Sequence, residues 1–286
     1  LLGMRLVFWM ATALGRAPAR QFMRLIALWY FAFDARARAA SRAFLSRVFG
    51  RPATAGEVYQ HILRFARVTL DRVFLLLGAR GFVVNRTGHH YLETLTRERR
   101  GAVLLGAHLG SFEAMRAGAR HESLPLNIVG HFENARMINA LLSRLNPHAT
   151  ARVVHVGKDP VGFAMQVSER LAQGELVAIL ADRVGLNDKQ ISVSFLGQQA
   201  SFPTGPFLLA ALLKCPVYLV FGLYFEPNRY ELFCEPFAER IELPRKQREQ
   251  ALRDVVQKYA ERLEHYARQA PDNWFNFYDF WKSEAS

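Results

Sequence analysis

The fold of this chain is constrained most by one apolar run, which is followed directly by a glycine turn and the start of a helix. Residues Ala102–Ala107 contain no polar side chain. Runs of this kind form strands that are buried on both faces, as in a parallel sheet. Gly110 interrupts the pattern, and Ser111 is a good N-cap for a helix that begins with Phe112. The stretch therefore predicts a strand, a tight turn and a helix, which is the unit of an α/β fold.

His108 and Glu113 lie on the two sides of that turn. His108 follows the strand, at the edge where open α/β sheets place their ligands. Glu113 falls in the first helical turn, where the helix dipole favours a carboxylate. A tight turn would let a Glu113 oxygen accept the His108 Nδ1–H and leave Nε2 as a base, as an acid does in a hydrolytic triad. The alternative is a core histidine bonded to a backbone carbonyl.

Apolar strands and amphipathic helices alternate along the rest of the chain with short links. Further core strands are predicted at Leu126–Val129, Arg152–Val156 and Leu176–Ala181, and helices at Ala55–Leu77, Asn134–Leu145, Pro160–Gly174 and Pro203–Lys214. This alternation predicts a mostly parallel central sheet flanked by helices. Pro216–Phe225 and Arg229–Cys234 resemble a hairpin at one edge of that sheet.

Residues 1–50 are the predicted membrane-associating helical segment, and residues 51–286 form a single α/β domain. Arginine is frequent in the first segment, and Asp34 is its only acidic residue. The uncharged runs Leu6–Gly15 and Leu25–Phe33 are about half of the roughly 20 residues that a spanning helix needs. They predict helices that lie on an anionic membrane surface, with arginines reaching to lipid phosphates. The alternative is an amphipathic helical hairpin packed on the domain.

The net charge of +12 suits an anionic membrane or an acidic protein partner. Nucleic acid is not expected, because no nucleic-acid-binding motif appears and the basic residues are interleaved with large apolar ones. Cys215 and Cys234 lie in apolar surroundings and are interpreted as buried thiols. No cysteine pair has the spacing of a metal site, and no cofactor motif is complete, so neither a metal nor a cofactor is predicted.

A histidine base without an obvious protein nucleophile suits direct acyl transfer. The base deprotonates an acceptor hydroxyl or amine as that group attacks a thioester carbonyl. The oxyanion that forms needs hydrogen-bond donors. Backbone N–H groups around Gly110, or at Thr204 and Gly205, are the candidate donors.

Three sequence blocks carry a resemblance to a known family. The first is Gly106-Ala-His-Leu-Gly-Ser-Phe-Glu113, with a histidine and a glutamate in an H-x-x-x-x-E spacing. The second is Ala178-Ile-Leu-Ala-Asp-Arg-Val-Gly185, and the third runs from Phe195-Leu-Gly to Thr204-Gly-Pro-Phe-Leu-Leu-Ala210. In this order they resemble the lysophospholipid acyltransferase superfamily, in its branch of lipid A late acyltransferases. The chain also resembles bacterial predicted acyltransferases, some of them associated with aryl-polyene lipids.

The resemblance implies a membrane-associated acyltransferase at the cytoplasmic face of a bacterial inner membrane. The donor it implies is an acyl thioester, with acyl carrier protein favoured over acyl-coenzyme A, and the acceptor is a lipid or glycolipid. It implies His108 as general base oriented by Glu113. The substrate-binding residues it implies are Gly110, Ser111, Asp182, Arg183, Thr204 and Gly205. Asp182 either caps its loop or shapes the site, and Arg183 binds an acceptor phosphate or is solvated. The alternative function is a non-catalytic lipid-binding or carrier-docking protein on the same scaffold.

Overall fold

A seven-stranded, mostly parallel sheet forms the centre of the molecule, as a computed structural model of the chain shows. The structure describes residues 13, 15–76, 78–79, 81–121, 124–130, 152–155, 159–185 and 189–281. The sheet strands are β1 (Val83–Thr87), β2 (Ala102–Gly106), β3 (Leu126–Gly130), β4 (Arg152–His155), β5 (Leu176–Leu180), β8 (Val217–Phe225) and β9 (Arg229–Ala238). Across the sheet the order is β1-β9-β8-β2-β5-β3-β4. Every neighbouring pair is parallel except β8 and β9. The predicted fold class is confirmed.

Eight α-helices flank this sheet in the part of the chain that the structure describes. They are α1 (Arg16–Phe33), α2 (Ala35–Phe49), α3 (Ala55–Leu76), α4 (His89–Arg97), α5 (Phe112–His121), α6 (Pro160–Ala172), α7 (Gly205–Leu213) and α8 (Arg248–Gln269). Short 3₁₀ turns span Arg245–Gln247 and Pro271–Asn273. The helix predicted at Asn134–Leu145 lies outside the described residues, as does nearly all of the apolar run Leu6–Gly15.

Strand β2 occupies a central position because its residues have no polar side chain to place in water. All five of its residues are buried, and it is hydrogen-bonded to β8 on one side and β5 on the other. In the register with β5, Gly106 pairs with Leu180. Two residues beyond that pair, His108 and Asp182 leave the sheet side by side at its carboxyl edge. The pairing register thus brings together two sequence blocks that are far apart in the chain.

Two local predictions need correction. The hairpin β8–β9 exists, but β1 pairs in parallel with the outer side of β9, so the hairpin is not at the sheet edge. The small residues of 200–206 could be interpreted as space for an acyl chain or carrier arm, or as a tight turn. Residues 200–203 instead belong to β7 (Gln198–Pro203), which pairs antiparallel with β6 (Gln190–Phe195) in a separate two-stranded sheet. The physical reason is that Gly197 at φ +79° closes a tight turn between the two strands.

Helix α1 has one face against the protein and one face towards solvent. Its buried residues include Ala19, Met23 and Ala27, which belong to the main hydrophobic core. Four large apolar side chains lie elsewhere on the helix at exposures between 53% and 72%, namely Leu25, Leu28, Trp29 and Phe33. We call these four residues the α1 stripe; their helical spacing puts them on one side of α1. Among the described residues, no helix is both long and apolar enough to cross a membrane.

Ion pairs fix α1 to the domain. Arg16 donates to both oxygens of Asp71 on α3 at 2.7 Å, and Asp71 is fully buried. Arg20 is also buried and donates to the Tyr224 hydroxyl at 2.8 Å, and it pairs with Glu226 after β8. Charges that are buried in this way need such partners, because an unpaired buried charge is costly. The helix is therefore held in place by specific polar contacts as well as by its buried alanines.

Candidate active site

The carboxylate of Asp182 holds the imidazole of His108. His108 Nδ1 lies 2.8 Å from Asp182 Oδ1, and the backbone N–H of His108 donates to Asp182 Oδ2 at 2.9 Å. A third donor comes from the C-terminal segment, since the indole N–H of Trp274 donates to the same Oδ2 at 2.9 Å. Asp182 is fully buried, whereas the side chain of His108 is 32% exposed. His108 is therefore the accessible member of the pair, at the open edge of the sheet.

The electrostatic balance keeps Asp182 ionised. Burial alone would raise its pKa, but the charge and hydrogen bond of His108, the charge of Arg183 and the Trp274 hydrogen bond together hold the pKa below its ordinary value. An ionised acceptor at Nδ1 requires the proton to be on Nδ1, which leaves the Nε2 lone pair available. In the described part of the chain Nε2 has no hydrogen-bond partner. His108 thus has the arrangement of a general base.

Glu113 does not make the contact that the sequence spacing predicted. It forms an ion pair with the guanidinium of Arg72 on α3. The prediction that a Glu113 oxygen accepts the His108 Nδ1–H is wrong, because Asp182 occupies that position. The reason is geometric: α5 packs against α3, where the Arg72 guanidinium meets Glu113, whereas the β2–β5 register places Asp182 directly beside His108. The pairing register between strands decided the partner of Nδ1, and closeness in sequence did not.

The turn between His108 and α5 is tight because it packs on β8. Gly110 has φ +69°, and a Cβ added there would lie 1.9 Å from the carbonyl oxygen of Gly222. The N–H of Ser111 donates to that same oxygen at 2.7 Å. The Ser111 hydroxyl accepts the N–H of Ala114 at 3.1 Å, so the predicted N-cap is confirmed. Only glycine fits at position 110 of this turn.

Two of the predicted oxyanion donors are already engaged within the protein. The N–H of Gly110 donates to the carbonyl of Asn273 at 2.8 Å. The N–H of Thr204 donates to the carbonyl of Lys189 at 2.9 Å, and its hydroxyl donates to the same carbonyl at 3.0 Å. Their prediction as free donors is wrong, since each N–H has a protein acceptor. Gly205, the first residue of α7, is exposed, with no atom within 4 Å of an added Cβ.

The segment after α8 completes the site, and its role was not predicted. Residues 273–275 pair with the His108 turn: the N–H of Phe275 donates to the His108 carbonyl at 3.0 Å, next to the Gly110–Asn273 bond. The Asn273 carboxamide joins both backbone groups of Tyr224 on β8, at 2.7 and 3.1 Å. Six aromatic residues between Asn273 and Trp281, here called the aromatic segment, were the available signal. They fit a lid on the core or a wall of the pocket, and nothing in the sequence pointed to the contact of Trp274 with Asp182.

Arg183 is bound to that same segment. Its guanidinium donates to the Phe275 carbonyl at 2.7 Å and lies 5.9 Å from the ring centroid of Tyr278. The residue as a whole remains exposed. Arg183 is therefore exposed and at the same time tied to the C-terminal segment, and its positive charge stands beside the His108–Asp182 pair.

The sequence model of a family described as "Bacterial lipid A biosynthesis acyltransferase" matches residues 3–283. That span includes the His108 turn, the strand that leads to Asp182 and the aromatic segment around Trp274. The chain belongs to this family. The resemblance drawn from the three sequence blocks is confirmed, and the protein is an acyltransferase of the lipid A type. The family is bacterial and membrane-associated. No individually curated protein matches the chain.

An apolar cavity lies beneath α5, the helix that begins at the candidate active site of this lipid A-type acyltransferase. Its volume is about 50 Å³, and it is bounded by α4, α5 and one face of the sheet. Phe112 and Met115 of α5 cover it, and Leu104, Ala178 and Val220 contribute side chains from the sheet. These side chains offer dispersion contacts and no hydrogen bonds, so the cavity suits a hydrocarbon group.

The cysteines of this family member offer no alternative nucleophile. Cys215 and Cys234 are buried and form no disulfide. Burial raises the pKa of both thiols, that of Cys234 to about 12. A thiol is a nucleophile only as the thiolate, so both are inert near neutral pH. Among the described residues, no group of three metal-binding side chains comes together.

Proposed function

We propose that the protein transfers a fatty acyl chain from an acyl thioester to a hydroxyl or amine of a lipid or glycolipid, with His108 as general base. The observation that carries this proposal is the hydrogen bond between His108 Nδ1 and the buried, ionised Asp182, which leaves Nε2 free at the carboxyl edge of the sheet. A protein that only binds lipid has no need of such a pair. The family match supports the same reaction class.

The chemistry needs one base and no covalent intermediate with the protein. Nε2 takes the proton of the acceptor hydroxyl or amine as its oxygen or nitrogen forms a bond to the thioester carbonyl carbon. Asp182 stabilises the imidazolium that results, because its negative charge lies against Nδ1–H. The tetrahedral intermediate then collapses, the C–S bond breaks, and the imidazolium returns the proton to the departing sulfur.

The apolar cavity under α5 is our proposed site for part of the acyl chain. Its lining includes Phe112, the first residue of α5 after the turn that carries His108, and a chain that reaches from the cavity towards this turn would hold the thioester carbonyl near Nε2. Its small volume means that bound chains displace side chains, and methionine and leucine repack readily. Replacing Ala178 by Leu adds three carbon atoms to the cavity, so it should shift the preference towards shorter chains. Competition between acyl donors of different length measures this shift.

We favour an acyl carrier protein as the donor partner, because a chain of net charge +12 attracts an acidic protein. The basic side chain of Arg183 beside the site suits the phosphate of a carrier arm or of an acceptor. Acyl-coenzyme A also carries phosphates. Assays with the same acyl chain on each carrier separate the two donors. The carrier assignment fails if acyl-coenzyme A gives an equal or higher kcat/KM.

The experiment that tests the function compares two histidine variants. His108→Gln removes the proposed base, and His265→Gln changes an exposed histidine of α8. Purified proteins receive acylated carrier protein and bacterial lipid extract, and mass spectrometry detects acylated products. Turnover should fall roughly 10²–10⁴-fold for His108→Gln and stay unchanged for His265→Gln. A folded His108→Gln protein with normal turnover would exclude His108 as the base, and a wild-type protein without turnover would leave the lipid-binding alternative as the better account.

A further inference from the structure

We infer that Trp274 is a positioning residue for this reaction, whose indole N–H fixes the Asp182 carboxylate against His108. This inference rests on the proposed function of His108. It assigns a positioning role to the aromatic segment after α8, and the group responsible for that role is a single N–H.

The hydrogen bonds of Asp182 divide between its two oxygens. Oδ2 accepts two donors, the indole N–H of Trp274 and the backbone N–H of His108, both at 2.9 Å. Oδ1 is left for Nδ1 of His108, at 2.8 Å. Two donors on one oxygen stop the carboxylate from rotating about its Cβ–Cγ bond. The orientation of Oδ1, and therefore of the imidazole, depends on both of them.

The indole ring is itself held firmly. Trp274 is 1% exposed, and its ring packs against the rings of Phe44, Phe195 and Phe280, with centroids 4.8–5.3 Å away. Its backbone carbonyl is hydrogen-bonded to Nε2 of the buried His61 at 3.0 Å. A donor anchored in this way is pre-organised, which is what the group that orients a catalytic base must be.

Loss of the indole N–H has a predictable electrostatic consequence. Asp182 would keep its charge with one donor fewer, so it would attract the imidazolium form of His108 more strongly. The pKa of His108 should rise, and the histidine should be held in a less uniform orientation. The other groups that act on Asp182 are Arg183 and the neutral hydroxyls of Tyr259 and Tyr278, and they are unchanged by the substitution.

The test compares Trp274→Phe with Phe280→Leu. The first removes the N–H and keeps an aromatic ring, whereas the second removes a ring that packs 4.8 Å from Trp274 and donates nothing to Asp182. Nuclear magnetic resonance of histidine-labelled full-length protein gives the pKa of His108, assigned with His108→Gln. The pH profile of kcat/KM follows the same group in the free enzyme. A merely structural role for Trp274 predicts the same small changes in both variants.

For Trp274→Phe we expect kcat to fall roughly ten- to a hundredfold, as for other groups that orient a functional ligand. The pKa of His108 should rise in both measurements, and Phe280→Leu should leave it unchanged. An unchanged pKa in Trp274→Phe, or an equal shift in Phe280→Leu, overturns the inference. If Trp274→Phe does not fold, benzothienylalanine at position 274 keeps the ring shape without the N–H. The resonance titration needs no turnover, so it separates this inference from the proposed function, which is tested by the turnover of the wild-type and His108→Gln proteins.

Discussion

At the scale of single residues, His108 has two nitrogens in different surroundings. Nδ1 faces a fully buried carboxylate, and Nε2 belongs to a side chain that is one-third exposed. Only the buried side fixes the tautomer, because Asp182 accepts and cannot donate while it is ionised. Replacing Asp182 should therefore lower the activity of the proposed base, because the tautomer of His108 would no longer be fixed. Nε2, the nitrogen proposed to react, would keep its surroundings.

Asp182→Asn should lower kcat by about 10³-fold or more, since an amide permits the tautomer with the proton on Nε2. Glu113→Gln is the matched control: it removes one carboxylate charge from the same neighbourhood but breaks the Arg72 ion pair instead. We expect it to cost less than tenfold in kcat and to leave the pKa of His108 unchanged. Steady-state kinetics and the histidine resonances report both quantities. Equal losses in the two variants would contradict the assignment of Asp182.

The turn at Gly110 allows a second test at this scale. Gly110→Ala places a methyl group 1.9 Å from the Gly222 carbonyl at φ +69°, whereas Gly197→Ala meets nothing within 4 Å at φ +79°. The strain from a positive φ, about 1–3 kcal/mol, is common to both. We expect Gly110→Ala to lower the free energy of unfolding by clearly more than Gly197→Ala does, as urea titration would show. Similar losses would mean that the close approach to β8 relaxes at little cost.

The sequence indicated His108 and Asp182 as candidate site residues but not their contact with each other. His108 and Asp182 each follow an apolar strand, a placement that local patterns reveal. Their contact depends on β2 and β5 being neighbours with Gly106 opposite Leu180, which is a long-range property of the sheet. The contact of Trp274 with Asp182 gave no local signal, because it depends on a segment that folds back across the sheet edge. Local periodicity therefore predicts candidates, and topology selects among them.

At the scale of elements, the difference between local patterns and long-range pairing explains which helices and strands were predicted. The predicted α3 and α6 agree with the structure to within two residues, and Asp159 caps α6 by accepting the N–H of Val161 at 3.0 Å. Their apolar spacing and capping residues are local features. Strand β7 begins with two polar, exposed residues and pairs with β6 outside the central sheet, so its sequence has no long apolar run that would predict a strand.

The α1 stripe is the surface through which we predict that helix α1 attaches to a membrane. Replacement of Trp29 and Phe33 by Ser removes the two aromatic side chains of the stripe, which are 57% and 72% exposed. We expect weaker sedimentation with anionic vesicles and little change in thermal stability. The control replaces Met165 and Leu212 by Ser, since these residues are 60% and 66% exposed but lie on α6 and α7. Vesicle binding that is equal in both double variants would place the membrane contact elsewhere.

At the scale of the whole molecule, one core joins α1, α2 and α3 to the sheet, to α8 and to the aromatic segment. His61 lies within this assembly, fully buried, with Ser41 at Nδ1 (2.8 Å) and the Trp274 carbonyl at Nε2 (3.0 Å). Burial lowers its pKa to about 4, although the Trp274 carbonyl and Asp272 oppose the shift. His61 is therefore neutral in the folded protein at pH values where an unfolded chain would protonate it.

This difference predicts a loss of stability in mild acid. Between about pH 6.5 and pH 4 the unfolded chain binds a proton at His61 that the folded chain does not, so stability falls as pH falls, by about 3 kcal/mol in total. His61→Gln removes this titration. Its free energy of unfolding should be lower at pH 7 and should depend less on pH over that interval. Urea titrations at several pH values compare the two slopes, and equal slopes would exclude His61 as a source of the acid sensitivity.

The position of Trp274 late in the sequence also bears on when the enzyme becomes active during synthesis. Chains emerge from the ribosome from the amino end, so His108 and Asp182 appear well before the tryptophan that steadies them. If the inference about Trp274 holds, a nascent chain that already has α1 and the sheet would carry a poorly oriented base. The helix with the exposed apolar stripe would then be available to a lipid surface before full acyl transfer begins.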